Sequence, residues 1–480
     1  MDSTVVPQKR AGGADDSSME GVAGTVLVEA DGDADDLKRR LNVLLGDPCV
    51  ERRHILLACA EPDRALVEEV LAAEYPPLPL VSLAPEHARG HAAQVFDRMR
   101  AAKVAFLRAG ASYTSPQWDI FAADDPSLAV WVPDMPFPEY TAHSHGTPVR
   151  SWLASTELLR QLVDWGAFPN WNLLHIASAA KRAGRSFRWA SPRARSTSET
   201  GAEPSAGGPA CLSLNSSVLA LVPHYKCEEW LDDCLRSLVR QTRPLDAIVV
   251  VDDGSPRPPV EIVSKYPEVT LLRAAENSGP YRLSQQVIDE TDCDAYMFQD
   301  ADDWATDDRL KTLLAEAERT GAEYVGSQML QVVGAEADVI PMCYPLDVSG
   351  AYIRYQRHPI VHGTTLVARK LVRRVGGFST ALRFGGDSEF LRRVGFNARI
   401  VNSTRFCYFQ CVREGSLTRS PETGMGSPAR DALMADIRAW AAKNREALLV
   451  GDVRAVRPYK VAGPVRLEHV LGPPLRAARR

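Results

Sequence analysis

What this chain lacks narrows it first. Its 480 residues hold nine cysteines with no C-x-x-C pair. Neither a zinc site nor a disulfide framework is indicated, and reduced thiols in a cytosolic protein fit better. No apolar run approaches the ~18 residues that a membrane helix needs, and the longest, such as AIVVV at 247–251, are strand-sized. The opening MDSTVVPQKRAGGADDSSMEG has no apolar core of signal-peptide length. A basic excess is missing too: the formal net charge of −5 argues against a general nucleic-acid binder. No G-x-G-x-x-G follows the first strand pattern and no G-x-x-x-x-G-K-[ST] occurs, so dinucleotide-binding and P-loop readings lack their defining glycines.

What is present is ordinary soluble-protein composition, 45% apolar and 24% charged, in a chain long enough for two or three domains. Residues 1–21 are polar and read as a disordered tail. From 22 to 190, strand patterns (TVLVEA, HILLACA, KVAFLRA) alternate with helical ones (DDLKRRLNVLL, RALVEEVLAAE), which predicts an α/β layer architecture. Residues 191–216 are rich in Ser, Gly, Pro and Ala and read as a flexible linker. The alternation restarts at 217 and runs to 425, with 426–480 a C-terminal helix and a basic tail. That tail carries Arg457, Lys460, Arg466, Arg476, Arg479 and Arg480 against one acid, Glu468. Solvation is the plainer reading of it, and contact with an anionic membrane surface or a lipid-linked acceptor is the alternative.

The two halves repeat one another in pattern. HILLACAEP matches AIVVVDDGS, VAFLRAGASYTSPQWD matches YMFQDADDWATDDRL, SWLASTELLRQLVDWGAF matches GTTLVARKLVRRVGGF, and AAKRAGRSFRW matches FLRRVGFNARI. Any two α/β domains share something of this kind, which is the competing explanation. The acids nevertheless differ systematically. Asp252 and Asp253 fall opposite Cys59 and Ala60, while Asp300, Asp302 and Asp303 fall opposite Arg108, Gly110 and Ala111. Between Phe168 and Gly184 there is no counterpart to Asp387 and Glu389. The first copy reads as one that keeps the fold and lacks the chemistry.

The second copy concentrates carboxylates at strand ends. In YMFQDADDW, Asp300, Asp302 and Asp303 sit between a strand pattern and a helix for which Thr306 is the expected N-cap. Like charges so close repel and raise a pKa. A divalent cation removes that cost, and carboxylates suit Mg²⁺ or Mn²⁺. An acidic turn capping a helix is the plain alternative. In an open parallel sheet, ligands bind beyond the carboxyl ends of the strands, so Asp252/Asp253, the DADD turn and Asp387 can converge on one crevice. Arg282 and Arg413 could there meet a phosphate-bearing ligand.

Taken in order, VPHYKCEEWLDDCLRSLVRQTRPLDAIVVVDDGS, NSGPYRLSQQ, QDADDW and GGDSEFLRR resemble the family 2 glycosyltransferases of the GT-A fold, over roughly Val218 to Thr418. The resemblance implies an α/β fold of two GT-A-like (nucleotide-diphospho-sugar transferase, Rossmann-like) domains joined by a flexible linker, the first degenerate. It matches the Pro223–Tyr225 turn to the family's first donor-binding motif, whose aromatic, Tyr225, lies by the nucleotide base, with Glu228 following at the helix start and Asp253 or Asp252 hydrogen-bonded to that base. Asn277, Gly279 and Arg282 then line the nucleotide and diphosphate. Asp300 and Asp302, flanking Ala301, match the DxD that contacts ribose and metal. Asp387 matches the general base of inverting members.

Arg413 is assigned to capping the donor, with a surface charge as its alternative. Asp303, Trp304, Glu389 and His362 are candidates for acceptor contact or support of the site. The chain departs from the family pattern at Gly386, where an acid commonly precedes the base, and it lacks the QxxRW signature of processive synthases.

The expectation is therefore a metal-dependent, non-processive, inverting glycosyltransferase of polysaccharide biosynthesis. Its cofactor is Mn²⁺ or Mg²⁺, its donor a nucleotide sugar (UDP-linked among the options), and its acceptor a glycan, lipid-linked or small-molecule hydroxyl. No nucleic-acid partner and no transmembrane segment are expected. The location is cytoplasmic, with peripheral contact at the inner membrane face and oligomerisation both left open. A nucleotidyltransferase and a non-catalytic glycan-binding protein are the alternatives.

Overall fold

Runs of apolar β-formers broken by amphipathic segments build an α/β protein. The structure, a computed structural model, describes residues 211–333, 338–355, 358–413 and 415–475. In the N-terminal half it describes 25–30, 33–46, 55–59, 61–75, 78, 80–82, 103–107, 128–131, 144–145, 151–155, 159 and 187–190. The tail 1–21, linker residues 191–210, the acid-free counterparts Arg108, Gly110 and Ala111, the Phe168–Gly184 stretch, and Arg476, Arg479 and Arg480 lie outside the described residues. The chain divides into two compact units, Met1–Val130 with Arg150–Arg188, and Trp131–Val149 with Trp189–Arg480.

The N-terminal half contributes β1 (Thr25–Ala30), α1 (Ala34–Leu45), β2 (Ile55–Cys59), α2 (Arg64–Glu74), β3 (Leu80–Ser82), β4 (Lys103–Leu107), β5 (Leu128–Trp131), β6 (Ser144–His145), β7 (Ser151–Ser155) and β8 (Phe187–Ala190). The C-terminal half begins with β9 (Val218–His224), α3 (Glu228–Val239), β10 (Ala247–Asp252), α4 (Val260–Val263), β11 (Val269–Ala274), α5 (Pro280–Glu290) and β12 (Ala295–Phe298). There follow β13 (Trp304–Ala305), α6 (Arg309–Thr320), β14 (Tyr324–Val333), β15 (Asp338–Cys343) and α7 (Val348–Tyr355). The last elements are β16 (Leu366–Ala368), α8 (Arg369–Arg374), α9 (Gly386–Val394), β17 (Ile400–Val412), α10 (Pro428–Leu449) and β18 (Leu467–Leu471).

The sheets share an order. The first runs β3-β2-β1-β4-β7-β5-β8, and the second contains β11-β10-β9-β12-β16-β14-β17. In each, the first four strands are parallel and the fifth is antiparallel to the fourth. The strand ends correspond as well: Cys59 closes β2 opposite Ala30, and Asp252 closes β10 opposite His224. The repeat of sequence pattern is thus a repeat of strand order. In the second sheet β9 is almost wholly buried along its length, because a parallel strand covered on both faces reads as a continuous apolar run. Helix α3 buries Leu231, Cys234, Leu235 and Leu238, one stripe at helical spacing.

Two details depart from expectation. Helix α6 starts at Arg309, with Asp308 rather than Thr306 at its N-cap. Its second amide, Leu310 N–H, donates to Gln241 Oε1 of the neighbouring segment at 2.8 Å, so a tertiary contact supplies part of the cap. The C-terminal tail is not simply solvated either: β18 pairs antiparallel with β11 and closes that sheet edge, where an unpaired strand would be a liability. Among the described residues no helix is long and apolar enough to cross a membrane.

Glu389 and Arg393 of α9 are each 1% exposed and bonded at 2.6 and 2.7 Å. Arg393 also donates to the carbonyls of Val375 and Gly377, which fixes the chain after α8 on α9. Glu389→Ala leaves a buried guanidinium without its counter-charge. It should destabilise the protein by about 3–5 kcal/mol in urea unfolding, and Glu389→Gln, which keeps a hydrogen-bond acceptor, should cost less.

Candidate active site

Strand β12 delivers the chain to the acidic turn, and what lies beneath that turn is cationic. Arg309 is fully buried. It donates to Gln299 Oε1 at 2.7 Å, to the Phe298 carbonyl at 2.9 Å and to the Gly363 carbonyl at 2.6 Å. Its guanidinium also lies 4.9 Å from the centre of the Tyr408 ring. The Tyr408 hydroxyl accepts from Asp300 N–H at 3.2 Å and donates to Asp303 Oδ2 at 2.7 Å. Asp303 Oδ1 accepts from Cys411 N–H at 2.7 Å.

Asp303 is 2% exposed, as is Ala301, so these two point into the protein. Burial, then the charges of Asp300 and Asp302, push the Asp303 carboxyl well above its usual range. It anchors the turn. Asp300 and Asp302 remain on the open side. Asp300 is crowded: desolvation by the surrounding protein, then Asp302 and Asp387, push it up to about 7. The solvent that reaches its exposed side tempers that rise. Asp302 Oδ2 accepts from Arg413 Nε at 2.6 Å, and Arg413 itself lies 4.8 Å over the Trp230 ring.

Asp387 stands in the first turn of α9. Its Oδ1 accepts from the Tyr281 hydroxyl at 2.9 Å, and His358 Nε2 lies 3.6 Å from Oδ2. Burial works to raise this carboxyl, but His358, His362, the Tyr281 hydroxyl and the Ser388 N–H outweigh it and hold its pKa below the ordinary value. It is ionised at neutral pH and able to accept a proton. The departure at Gly386 has a steric basis, since a Cβ there would come within 2.6 Å of the Tyr281 ring. The tyrosine that bonds Asp387 occupies the room an acid would need. His362 packs against Phe298, Phe378 and Tyr281, with ring centres 4.1, 5.7 and 6.2 Å away. Burial pulls its pKa down to about 4.

The remaining expected donor contacts divide. Tyr225 is 40% exposed, with Lys226 Nζ 4.9 Å over its ring. Pro223 and Glu228 are half-buried at the end of β9 and the start of α3. Asp252 and Asp253 are buried and hold the protein itself together. Asp252 meets His224 Nδ1 at 3.0 Å and Ser255 N–H at 3.2 Å. Asp253 accepts from Ser278 N–H at 2.5 Å and Gly279 N–H at 2.9 Å.

Gly279 has φ +91, a conformation that favours glycine. Asn277 is gripped by Arg383, which donates to its carbonyl at 2.7 Å and to its side chain. Arg282 donates to the carbonyls of Gly463 at 2.9 Å and Pro464 at 3.3 Å, so the C-terminal segment holds it. Trp304 stacks on Phe409 at 5.3 Å, and Glu389 pairs with Arg393.

Sequence reasoning passed over Arg309, Tyr408, Tyr281, His358 and Arg383. Tyr281, inside NSGPY, and Arg309, inside YMFQDADDWATDDRL, stood in segments already singled out, whereas Tyr408, His358 and Arg383 reach the site with no motif around them. Asp300 and Asp302 could hold a cation through carboxylate oxygens. Among the described residues no group of three or more His, Cys, Asp or Glu is arranged to do so. Two carboxylates fit Mg²⁺ or Mn²⁺ where substrate phosphates and water complete the coordination.

Residues 220–369 match the family described as Glycosyl transferase family 2. The glycosyltransferase GlyA of Streptococcus pneumoniae is 31% identical over 103 residues, 21% of this chain and 15% of that protein. The poly(ribitol-phosphate) β-N-acetylglucosaminyltransferase TarS of Staphylococcus aureus is 23% identical over 210 residues, 41% of this chain and 35% of that protein. The alignments thus span well under two thirds of these relatives. A crystal structure of a S. aureus TarS fragment in complex with UDP-GlcNAc gives a TM-score of 0.36 at 23% identity, covering 42% of this chain and 60% of that one. The same enzyme's complex with UDP gives 0.35 at 22%, covering 41% and 60%.

The half-buried His362, packed among aromatic rings, sets a pH dependence. Between pH 6.5 and about 4 the unfolded chain protonates this histidine and the folded chain does not, so its contribution makes stability fall as pH falls. In urea unfolding, His362→Phe should lose less stability than the wild type over that window, by on the order of 2 kcal/mol. Parallel curves would refute this.

Proposed function

With residues 220–369 a glycosyl transferase family 2 domain, we propose that this chain moves a sugar from a nucleotide-sugar donor to an acceptor hydroxyl. The proposed reaction is metal-dependent, inverting and non-processive, as the lack of a QxxRW signature suggests. A UDP-linked sugar is the first donor to test, because a TarS relative is described as bound to UDP-GlcNAc. The acceptor is a glycan, lipid-linked or small-molecule hydroxyl, and the reaction belongs to polysaccharide biosynthesis on the inner side of the membrane.

The observation that carries the reading is the division of labour in the acidic turn. Asp303 holds the turn, while Asp300 is exposed and Asp302, half-buried, is held by Arg413, with an ionised Asp387 close enough for its charge to be felt at Asp300. Mn²⁺ or Mg²⁺ held by Asp300 and Asp302 would stabilise the charge growing on the diphosphate leaving group. Tyr281 orients Asp387, which takes the proton of the attacking hydroxyl. Tyr225 offers an exposed ring to the base. Asp253 and Arg383 hold the Asn277–Gly279 turn in shape against the donor, and Arg413 turns from Asp302 to the donor phosphates once a cation is bound. Arg282, held by the C-terminal segment, supports the turn from behind.

The N-terminal unit repeats the strand order, and its β2 ends in Cys59 where β10 ends in Asp252. Its proposed role is to orient the acceptor or mediate assembly, without donor chemistry of its own.

Incubated with UDP-GlcNAc and other nucleotide sugars plus Mn²⁺ or Mg²⁺, the full chain should release nucleoside diphosphate, and Asp302→Ala should not. Asp387→Asn should lower kcat on the order of 10²–10⁴-fold with little change in donor KM. Release of pyrophosphate on incubation with a nucleoside triphosphate and a sugar 1-phosphate would instead identify a nucleotidyltransferase, and glycan binding with no release of nucleoside diphosphate a glycan-binding protein.

A further inference from the structure

Away from the acidic turn, the chain that follows α10 returns to α8 and forms with it an open, solvent-facing cavity of about 480 Å³. That volume is typical of small-molecule sites. Four guanidinium-bearing residues line it, Arg373 and Arg374 from α8 and Arg454 and Arg457 from the returning segment, over apolar Val456 and Pro458. None of the residues assigned to the sugar-transfer site is among them. Of the four, Arg374 is paired, bidentate to Glu323 at 2.9 and 2.6 Å. Arg457 Nε donates to the Arg454 carbonyl at 3.3 Å, a contact that leaves its charge uncompensated.

Both walls are held in place. On the returning segment, buried Asn444 donates to the Arg457 carbonyl at 3.2 Å and accepts from Arg457 N–H at 3.3 Å. Trp440 Nε1 donates to the same carbonyl at 2.9 Å. Tyr459 N–H donates to Ser379 Oγ at 2.9 Å, which ties this wall to the chain beyond α8. On the other side, buried Arg393 takes the carbonyls of Val375 and Gly377. Gly376, with φ +79, lets Pro458 approach to 3.2 Å from where a Cβ would stand. These contacts fix the backbone of both walls, while the four arginine side chains themselves stand exposed around the cavity. Like charges gathered in a concavity repel one another until an anion enters, and guanidinium forks match phosphate oxygens two at a time.

We propose that the pocket between α8 and the Arg454–Val461 segment is a second ligand site that binds a phosphate ester or diphosphate. Every residue lining this site lies beyond the matched family segment, and the proposal stands whether or not the sugar-transfer reading does. A soluble diphosphate and the phosphate of an anionic lipid headgroup present the same chemistry to it.

The test uses the full chain in EDTA, which keeps cations from the acidic turn. One arm is calorimetric titration with pyrophosphate. The other is flotation with vesicles of phosphatidylglycerol and phosphatidylcholine against phosphatidylcholine alone. The wild type should bind at least one probe: pyrophosphate alone marks a soluble ligand, and phosphatidylglycerol vesicles mark a headgroup.

Arg454→Ala/Arg457→Ala should weaken that binding by about tenfold or more, and Arg454→Lys/Arg457→Lys should weaken it less, since charge is kept and the fork is lost. Lys311→Ala/Arg438→Ala, which removes the same charge from exposed positions outside the pocket, should leave it unchanged. Binding of neither probe, or equal loss in the two alanine pairs, overturns the proposal.

Discussion

The acidic turn after β12 exists because a guanidinium is buried under it. Arg309 gathers the end of β12, the side chain of Gln299 and the carbonyl of Gly363, and stacks on Tyr408. Tyr408 in turn grips Asp303 and the amide of Asp300. A buried positive charge with carbonyl and amide partners is costly to assemble, and losing any one partner leaves it exposed to that cost. The network therefore has a single arrangement, and that arrangement leaves two of the three turn carboxylates facing outward.

The carboxylates of the C-terminal half accordingly fall into two groups. Asp252, Asp253, Asp303 and Glu389 are buried and satisfied by the protein's own donors, and they hold loops in register. Asp300, Asp302 and Asp387 are left at least partly exposed. The neighbours of Asp387 show how closely such a site is packed. Tyr281 both bonds the carboxylate and fills the space beside Gly386, so the glycine at that position and the tyrosine a hundred residues earlier are one structural feature.

The first sheet offers an internal comparison. Its strands follow the order of the second, with β2 ending in Cys59 where β10 ends in Asp252. A sheet of this order can form with no acid at that strand end. The aspartate in the second copy therefore answers to the loops of that copy, where it meets His224 and Ser255, and not to the demands of the sheet.

Much of the fold was legible in the sequence, because periodicity is set by burial. AIVVVD at 247–252 and EEWLDDCLRSLV at 228–239 announce a covered strand and an amphipathic helix, and Gly376–Gly377 announce where α8 stops. LEHVL at 467–471 did not announce β18, since a short edge strand is made by the partner it pairs with.

The site divides in the same way. Asp300, Asp302 and Asp387 stood out as acids at predicted strand ends and helix starts, so the sequence by itself determined which residues bear the charge. Which of them face out was decided only by tertiary structure. Tyr408, Tyr281 and His358 arrive from distant elements and Arg309 from the helix that follows the turn, and their effect on each carboxylate depends on contacts of a few ångströms that no local pattern encodes. The sequence sets where charge sits along the chain, and packing decides whether that charge holds the fold or meets a ligand.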